Sequence, residues 1–121
     1  MSDIDMVNQP PHYKDASGIQ CIEVTKYMQF CGGNCFKYLY RAGQKGCAIE
    51  DLEKAVWYAE RAGVMGDVVC GEAAENIEKI YLCRKGNILQ AMRAIEVNLW
   101  LIAQNYIKEE IARLESVEGY K

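Results

Sequence analysis

The chain has 121 residues, half of them hydrophobic and 26% charged, with 14 Lys and Arg against 17 Asp and Glu. This composition specifies a folded domain rather than a disordered chain, and no apolar run approaches the ~18 residues of a membrane span. A net charge of −3 argues against a protein that coats long DNA or RNA, and the polar, acidic opening MSDIDMVNQ predicts a soluble cytosolic product rather than a secreted one.

In chain order, residues 1–19 read as an extended arm. Pro10-Pro11 removes two amide donors and holds the preceding backbone extended. Helices are expected over residues 19–30, 35–42 and 49–62. Gly32-Gly33 reads as the break between the first two, with Asn34 capping the second and Gly43 and Gly46 ending it. The third carries Leu52, Ala55, Val56 and Ala59 on one face, with Trp57 and Tyr58 on the flanks. Residues 63–71, with three glycines, read as a connector.

Helical spacing resumes at Ala73, Ala74, Ile77, Ile80 and Tyr81, and Lys85-Gly86-Asn87 reads as a turn. Residues 87–116 then read as one helix, up to ~45 Å long. It has two apolar seams. One is Ile88, Met92, Ile95, Leu99, Ile102 and Tyr106; the other is Trp100, Ala103, Ile107, Ile111 and Leu114. A helix with two seams packs one on its own domain and offers the other to a second chain. The expected architecture is therefore all-α: a compact helical domain with an extended N-terminal arm and a long C-terminal helix used for packing and homo-oligomerisation. The expected division is an arm at 1–19, a helical region at 20–63 and a helical extension at 64–121.

Six cysteines (Cys21, Cys31, Cys35, Cys47, Cys70 and Cys83) include no C-x-x-C pair, and His12 is the single histidine. Four zinc ligands at recognisable spacing are lacking, so no structural metal is expected and the thiols read as small buried hydrophobes.

Charge distribution is more informative than the sum. Residues 24–49 contain Lys26, Lys37, Arg41 and Lys45 and no acid, so this window carries +4 and the remainder −7. Lys37, Arg41 and Lys45 are spaced by four, one above another along a helix and the glycine-rich turn after it. Such a row forms a phosphate cradle, with the arginine able to hold two oxygens at once. Gly43 and Gly46 allow close backbone approach. Tyr38, Tyr40 and Tyr58 are candidate base stackers or core. The plain alternative is chance clustering on a solvated face. Neither a G-x-x-x-x-G-K-[ST] loop nor a G-x-G-x-x-G turn is present, which excludes a conventional P-loop kinase. Asp51 and Glu53 are candidate magnesium ligands, or simply acids at a helix N-terminus. Glu72, Glu75 and Glu78 stand at the spacing of a helical pyrophosphatase motif or of an ordinary solvated flank.

These residues also carry a family resemblance. The ordered series runs from Val7-Asn8-Gln9-Pro10-Pro11-His12-Tyr13-Lys14, through Gly18-Ile19-Gln20-Cys21-Ile22-Glu23-Val24, to the stretch from Asn34 to Gly46. It ends with Glu50-Asp51-Leu52-Glu53-Lys54-Ala55 and Trp57-Tyr58. Together these resemble a small phage-encoded family of unknown function, some members of which are described as nucleotide kinases acting on deoxynucleoside monophosphates. The resemblance covers residues 7–62 and does not extend to the second half. It implies a phage protein that handles nucleotides in the cytoplasm of an infected bacterial host. It carries over Asn8, His12, Tyr13, Lys37, Tyr38, Arg41, Gly43, Lys45, Asp51, Lys54 and Tyr58 as motif positions.

Three functions follow as expectations. The first is a binding protein that sequesters a cyclic or signalling nucleotide of host antiviral defence. In it Lys37, Arg41, Lys45 and Lys54 hold phosphate, while Asn8, His12, Tyr13, Tyr38 and Tyr58 contact the base or close over it. It needs no cofactor, and its partners are a small nucleotide and further copies of itself, with no membrane and no long nucleic acid. The second is a nucleoside monophosphate kinase without a P-loop, which alone requires magnesium and ATP. The third is an inhibitor that docks on a host protein.

Overall fold

The computed structural model describes residues 17–44 and 46–117. Among the described residues the chain forms α1 (Cys21–Thr25), α2 (Phe30–Arg41), α3 (Ala48–Met65), α4 (Gly71–Ile80), a single 3₁₀ turn (Tyr81–Cys83), α5 (Gly86–Glu96) and α6 (Trp100–Val117), with no strand. The all-α expectation is met. Of the arm expected at residues 1–19, residues 1–16 lie outside the described residues.

Helices α2 and α3 form an antiparallel hairpin: Arg41 meets Asp51 at one end and the Cys31 thiol donates to Met65 Sδ at the other. On its other side α3 packs against α6, and α6 packs against α5. The short α1 lies across α2 and α4. It opens with a capping box, Gln20 and Glu23 each satisfying the other's backbone amide, as expected for donors left free at a helix start. Tyr40 Oη donates to the Ile19 carbonyl at 2.7 Å, and Asn76 Nδ2 to the Glu23 carbonyl at 2.9 Å. These two bonds tie α1 to α2 and α4.

The expected break at Gly32-Gly33 is corrected. Both glycines lie inside α2, and Asn34 is no cap; its amide donates to the Phe30 carbonyl at 2.9 Å. A glycine in a helix interior costs roughly 0.5–1 kcal/mol against alanine, so position 32 must have a reason. A Cβ built on Gly32 would stand 3.0 Å from Cη2 of Trp100, the buried first residue of α6. The same indole rests on Gly63, where a Cβ would meet Trp100 Cβ at 3.3 Å. Gly32 and Gly63 are thus the seat of Trp100 between the two helices. The absent local cap is replaced from afar: buried Asp67 accepts the Gly32 amide at 2.9 Å through Oδ2, and its carbonyl accepts Trp100 Nε1 at 2.9 Å.

The single long C-terminal helix is likewise corrected. Helix α5 ends at Glu96 and α6 begins at Trp100, folded back into a hairpin in which Asn87 donates to Glu110 at 3.2 Å. The reversal turns on Asn98, the one described non-glycine residue with positive φ, at 67°. Asparagine tolerates this conformation better than most residues. Its side-chain amide accepts from the Val69 amide and donates to the Val69 carbonyl, fastening the turn to the connector after α3. The first predicted seam is therefore split. Met92 and Ile95 are buried, whereas Leu99 and Ile102 lie exposed past the turn. The second seam, Trp100, Ala103 and Ile107, is core. The argument for oligomerisation rested on the unbroken helix and lapses with it.

The expected boundary at residues 63–64 falls inside α3. One core draws Phe36 and Leu52 from one side of it and Ile77, Ile95 and Ile107 from the other. Cys21, Cys31 and Cys35 are buried. Burial alone pushes the Cys35 thiol up to about 12, so it behaves as a small inert hydrophobe.

Candidate anion site on helices α2 and α3

Tyr38 stands on the outer side of the α2–α3 hairpin, half-buried. Three cations surround its ring. Lys37 Nζ lies 5.1 Å from the centroid, Lys54 Nζ 5.3 Å and Arg41 Cζ 5.8 Å. All are within the ~6 Å over which a ring attracts a cation. The helix period explains this: Lys37 and Arg41 are one turn apart on α2, and Lys54 comes from the facing turn of α3. Being that close to one point, any two of the charges lie at most about 11 Å apart, of the order of the ~8 Å screening length of physiological salt.

Among the described residues one carboxylate pairs with them. Asp51, buried in the first turn of α3, places Oδ2 3.5 Å from Arg41 Nε. This exceeds the ~2.7–2.9 Å of a charge-assisted hydrogen bond. Neither atom has a hydrogen-bond partner, although both are buried. Lys37 and Lys54 form no ion pair among the described residues. Among the described residues the site therefore holds three cations and one paired carboxylate, and that ion pair is slack.

Aromatic rings adjoin it. Tyr58 lies parallel to Tyr38, 9° between planes and 6.1 Å between centroids. Phe30 meets Tyr58 edge-on at 6.1 Å, and Trp57 does so at 5.1 Å. The Arg61 guanidinium covers one face of Trp57 at 4.4 Å.

Of the expected site residues, the fold brings together Lys37, Tyr38, Arg41, Lys54 and Tyr58, with Asp51 beneath them. Gly43 and Gly46 follow α2 in an exposed turn with φ of 84° and 72°. Lys45, Asn8, His12 and Tyr13 lie outside the described residues. Asp51 and Glu53 are not brought together: Asp51 points inward to Arg41 and Glu53 is exposed, as two positions on a helix 200° apart must be. Tyr40 is core, its ring beneath the Arg84 guanidinium at 5.0 Å. Among the described residues no group of three or more His, Cys, Asp or Glu is placed to hold a metal ion.

Sequence reasoning missed Phe30, Trp57 and Arg61. Phe30, Asn34, Lys37 and Arg41 follow the 4-3-4 spacing of a single helix face, a pattern hidden by the supposed break at the glycine pair. It also missed a groove of about 540 Å³ between α5 and α6, walled by Gln90, Val97, Leu99, Ile102 and Tyr106, with Arg93 and Glu96 at its polar side. There the Tyr81 phenol donates to the Glu96 carboxylate. Burial, then the bond to Glu96, raises the phenol above its ordinary range. The hydrogen bond with Glu96, then its charge, holds the Glu78 carboxyl above the usual carboxylate range. Glu72, Glu75 and Glu78 are exposed along α4.

No curated protein and no solved structure matches the chain. Residues 7–60, the stretch that holds Phe30, Lys37, Tyr38, Arg41, Asp51, Lys54 and Tyr58, match the sequence model of DUF3310, a protein family of unknown function.

Proposed function

We propose that the protein binds a phosphorylated nucleotide on the outer side of the α2–α3 hairpin and holds it without turnover. The observation that carries this reading is the convergence of Lys37, Arg41 and Lys54 on Tyr38, with Asp51 the one acid paired with them among the described residues. Phosphate oxygens accept from the two ammonium groups and from the guanidinium, relieving the mutual repulsion of the three cations. The parallel Tyr38 and Tyr58 rings offer a planar apolar surface to the base. Asp51 keeps Arg41 turned toward this face and limits the net charge when the site is empty. In a phage setting, as the sequence resemblance implies, such a protein removes a cyclic or signalling nucleotide of host antiviral defence from the free pool.

The kinase reading uses the same cradle but asks more of it: a metal-bound triphosphate and a positioned nucleophile. Asp51 and Glu53 do not share a face to supply a metal pair, which favours binding over turnover.

The deciding experiment incubates the protein with a nucleotide panel, magnesium and ATP. The small molecules are then followed by mass spectrometry, before and after the protein is heat-denatured. Sequestration gives depletion of one nucleotide and its intact recovery on heating. Time-dependent appearance of a nucleoside diphosphate and ADP would make the protein a kinase. Lys37→Ala and Lys54→Ala, neither of which removes a buried group or an ion pair among the described residues, should each weaken binding about 3- to 10-fold. If neither changes it, the cradle is misplaced.

A further inference from the structure

The cradle is one end of a longer strip. On α2, Phe30, Asn34, Lys37 and Arg41 share a face that spans ~16 Å, and α2 contains no acidic residue. On α3, Lys54, Tyr58, Trp57 and Arg61 line the adjoining face for ~10 Å. The rings are in contact along the strip, Tyr38 with Tyr58, and Tyr58 with both Phe30 and Trp57. Phe30 is 75% and Trp57 50% exposed, so both present open ring surface to solvent. Cations flank the rings at both ends, Lys37, Arg41 and Lys54 at one and Arg61 at the other. A mononucleotide would occupy the Tyr38 end and leave Phe30, Trp57 and Arg61 idle.

We infer, resting on the nucleotide-binding reading above, that the ligand of this face is a short single-stranded oligonucleotide of two to four residues. Rings that stack successive bases, edged by cations that follow the phosphates, are what single-stranded nucleic acid requires, and stacking is indifferent to base identity. Stacked nucleotides rise ~3.4 Å each, so the strip accommodates roughly four. Its outer border excludes more: Glu53 and Glu60, one turn to either side of Trp57 on α3, are exposed, and the chain as a whole carries −3. A long polyanion meets repulsion on leaving the strip, whereas a short one does not.

Fluorescence titration of the full chain tests this, because Trp57 is half-exposed while Trp100 is buried. The probes are thymidine monophosphate and the 5′-phosphorylated thymidine di- and tetranucleotides. The tetranucleotide should bind at least about tenfold more tightly than the mononucleotide and quench Trp57. Phe30→Ala, at an exposed position, should abolish that advantage, bringing tetranucleotide affinity down to that of the mononucleotide. Equal affinity for mono- and tetranucleotide overturns the inference while leaving the nucleotide reading intact. Failure of every probe overturns both. A length advantage that survives in Phe30→Ala overturns the assigned path. A change of sedimentation rate in Phe30→Ala with no change in oligonucleotide affinity would make the strip a face for a second copy instead.

Discussion

Two buried aspartates, Asp67 and Asp51, lie near opposite ends of the α2–α3 hairpin in opposite electrostatic conditions. Asp67 accepts the Gly32 amide through its carboxylate and Trp100 Nε1 through its carbonyl, both at 2.9 Å, and locks the first turn of α2 to the first turn of α6. Asp51 faces an arginine at 3.5 Å with neither atom hydrogen-bonded, beside two lysines that have no acidic partner among the described residues. Satisfied buried polar groups rigidify a fold, and half-satisfied ones hold energy that a ligand can release. The Asp67 end is where this chain is closed, and the Asp51 end is where it is left open.

Substitutions at the two ends should separate stability from binding. The largest effect is expected for Trp100→Ala, which empties the space between Gly32 and Gly63 and removes a donor. It should cost about 3–5 kcal/mol in denaturant unfolding and, in whatever remains folded, leave nucleotide affinity within twofold. Gly32→Ala should cost about 1–3 kcal/mol because its Cβ presses on the same indole, again without a binding defect. A large loss of binding from either, at a temperature where the chain is folded, would show that the two ends are coupled.

Asp51→Asn should do the reverse. Arg41 is one-third exposed, so losing its partner should cost about 1 kcal/mol, well below the 3–5 kcal/mol of a sealed pair. Removing the site's negative charge should tighten phosphate binding severalfold in calorimetry. Weaker binding would mean that Asp51 positions Arg41 more than it opposes the ligand.

The smallest effects concern pH. Hydrogen bonding from Arg113 lowers the Glu110 carboxyl, so its contribution is full above the ordinary carboxylate range near 4.5 and is lost as pH falls through the lowered value. Glu78 is raised by Glu96. Its contribution is full below that range and is lost as pH rises through the raised value. Melting temperature against pH should therefore lose part of its acid-side fall in Glu110→Gln and part of its decline above the ordinary carboxylate range in Glu78→Gln. Neither change should move ligand affinity, because both residues lie away from the hairpin face.

The chemistry of the site was more legible in the sequence than its framework. The spacing of Lys37, Arg41 and Lys54 about Tyr38 is a local property of two helices and follows from their period. The course of α2 through Gly32-Gly33 is not local, because the reason for glycine there is Trp100, 68 positions downstream. The reversal at Asn98 was concealed because no glycine or proline marks it within residues 87–116. The side-chain bonds to Val69 that fasten it are visible only in the folded chain. Gln29 shows the same limit: its side chain leaves α2 uncapped and instead accepts the Val68 amide at 2.7 Å.

The contact between Asp67 and Gly32 has a consequence for hydrogen exchange. Amides in the first turn of a helix ordinarily lack a partner and trade their protons for solvent deuterium quickly. The Gly32 amide is held by a residue beyond α3, beneath an indole from α6, so it opens only when the last helix lifts from the first hairpin. It should rank among the slowest-exchanging amides in the chain and report global rather than local opening. Residues 7–60 contain Lys37, Arg41, Lys54 and the rings of Phe30, Tyr38, Trp57 and Tyr58, but not Arg61, Asp67 or Trp100, so the contacts that close the hairpin's other end come from beyond them.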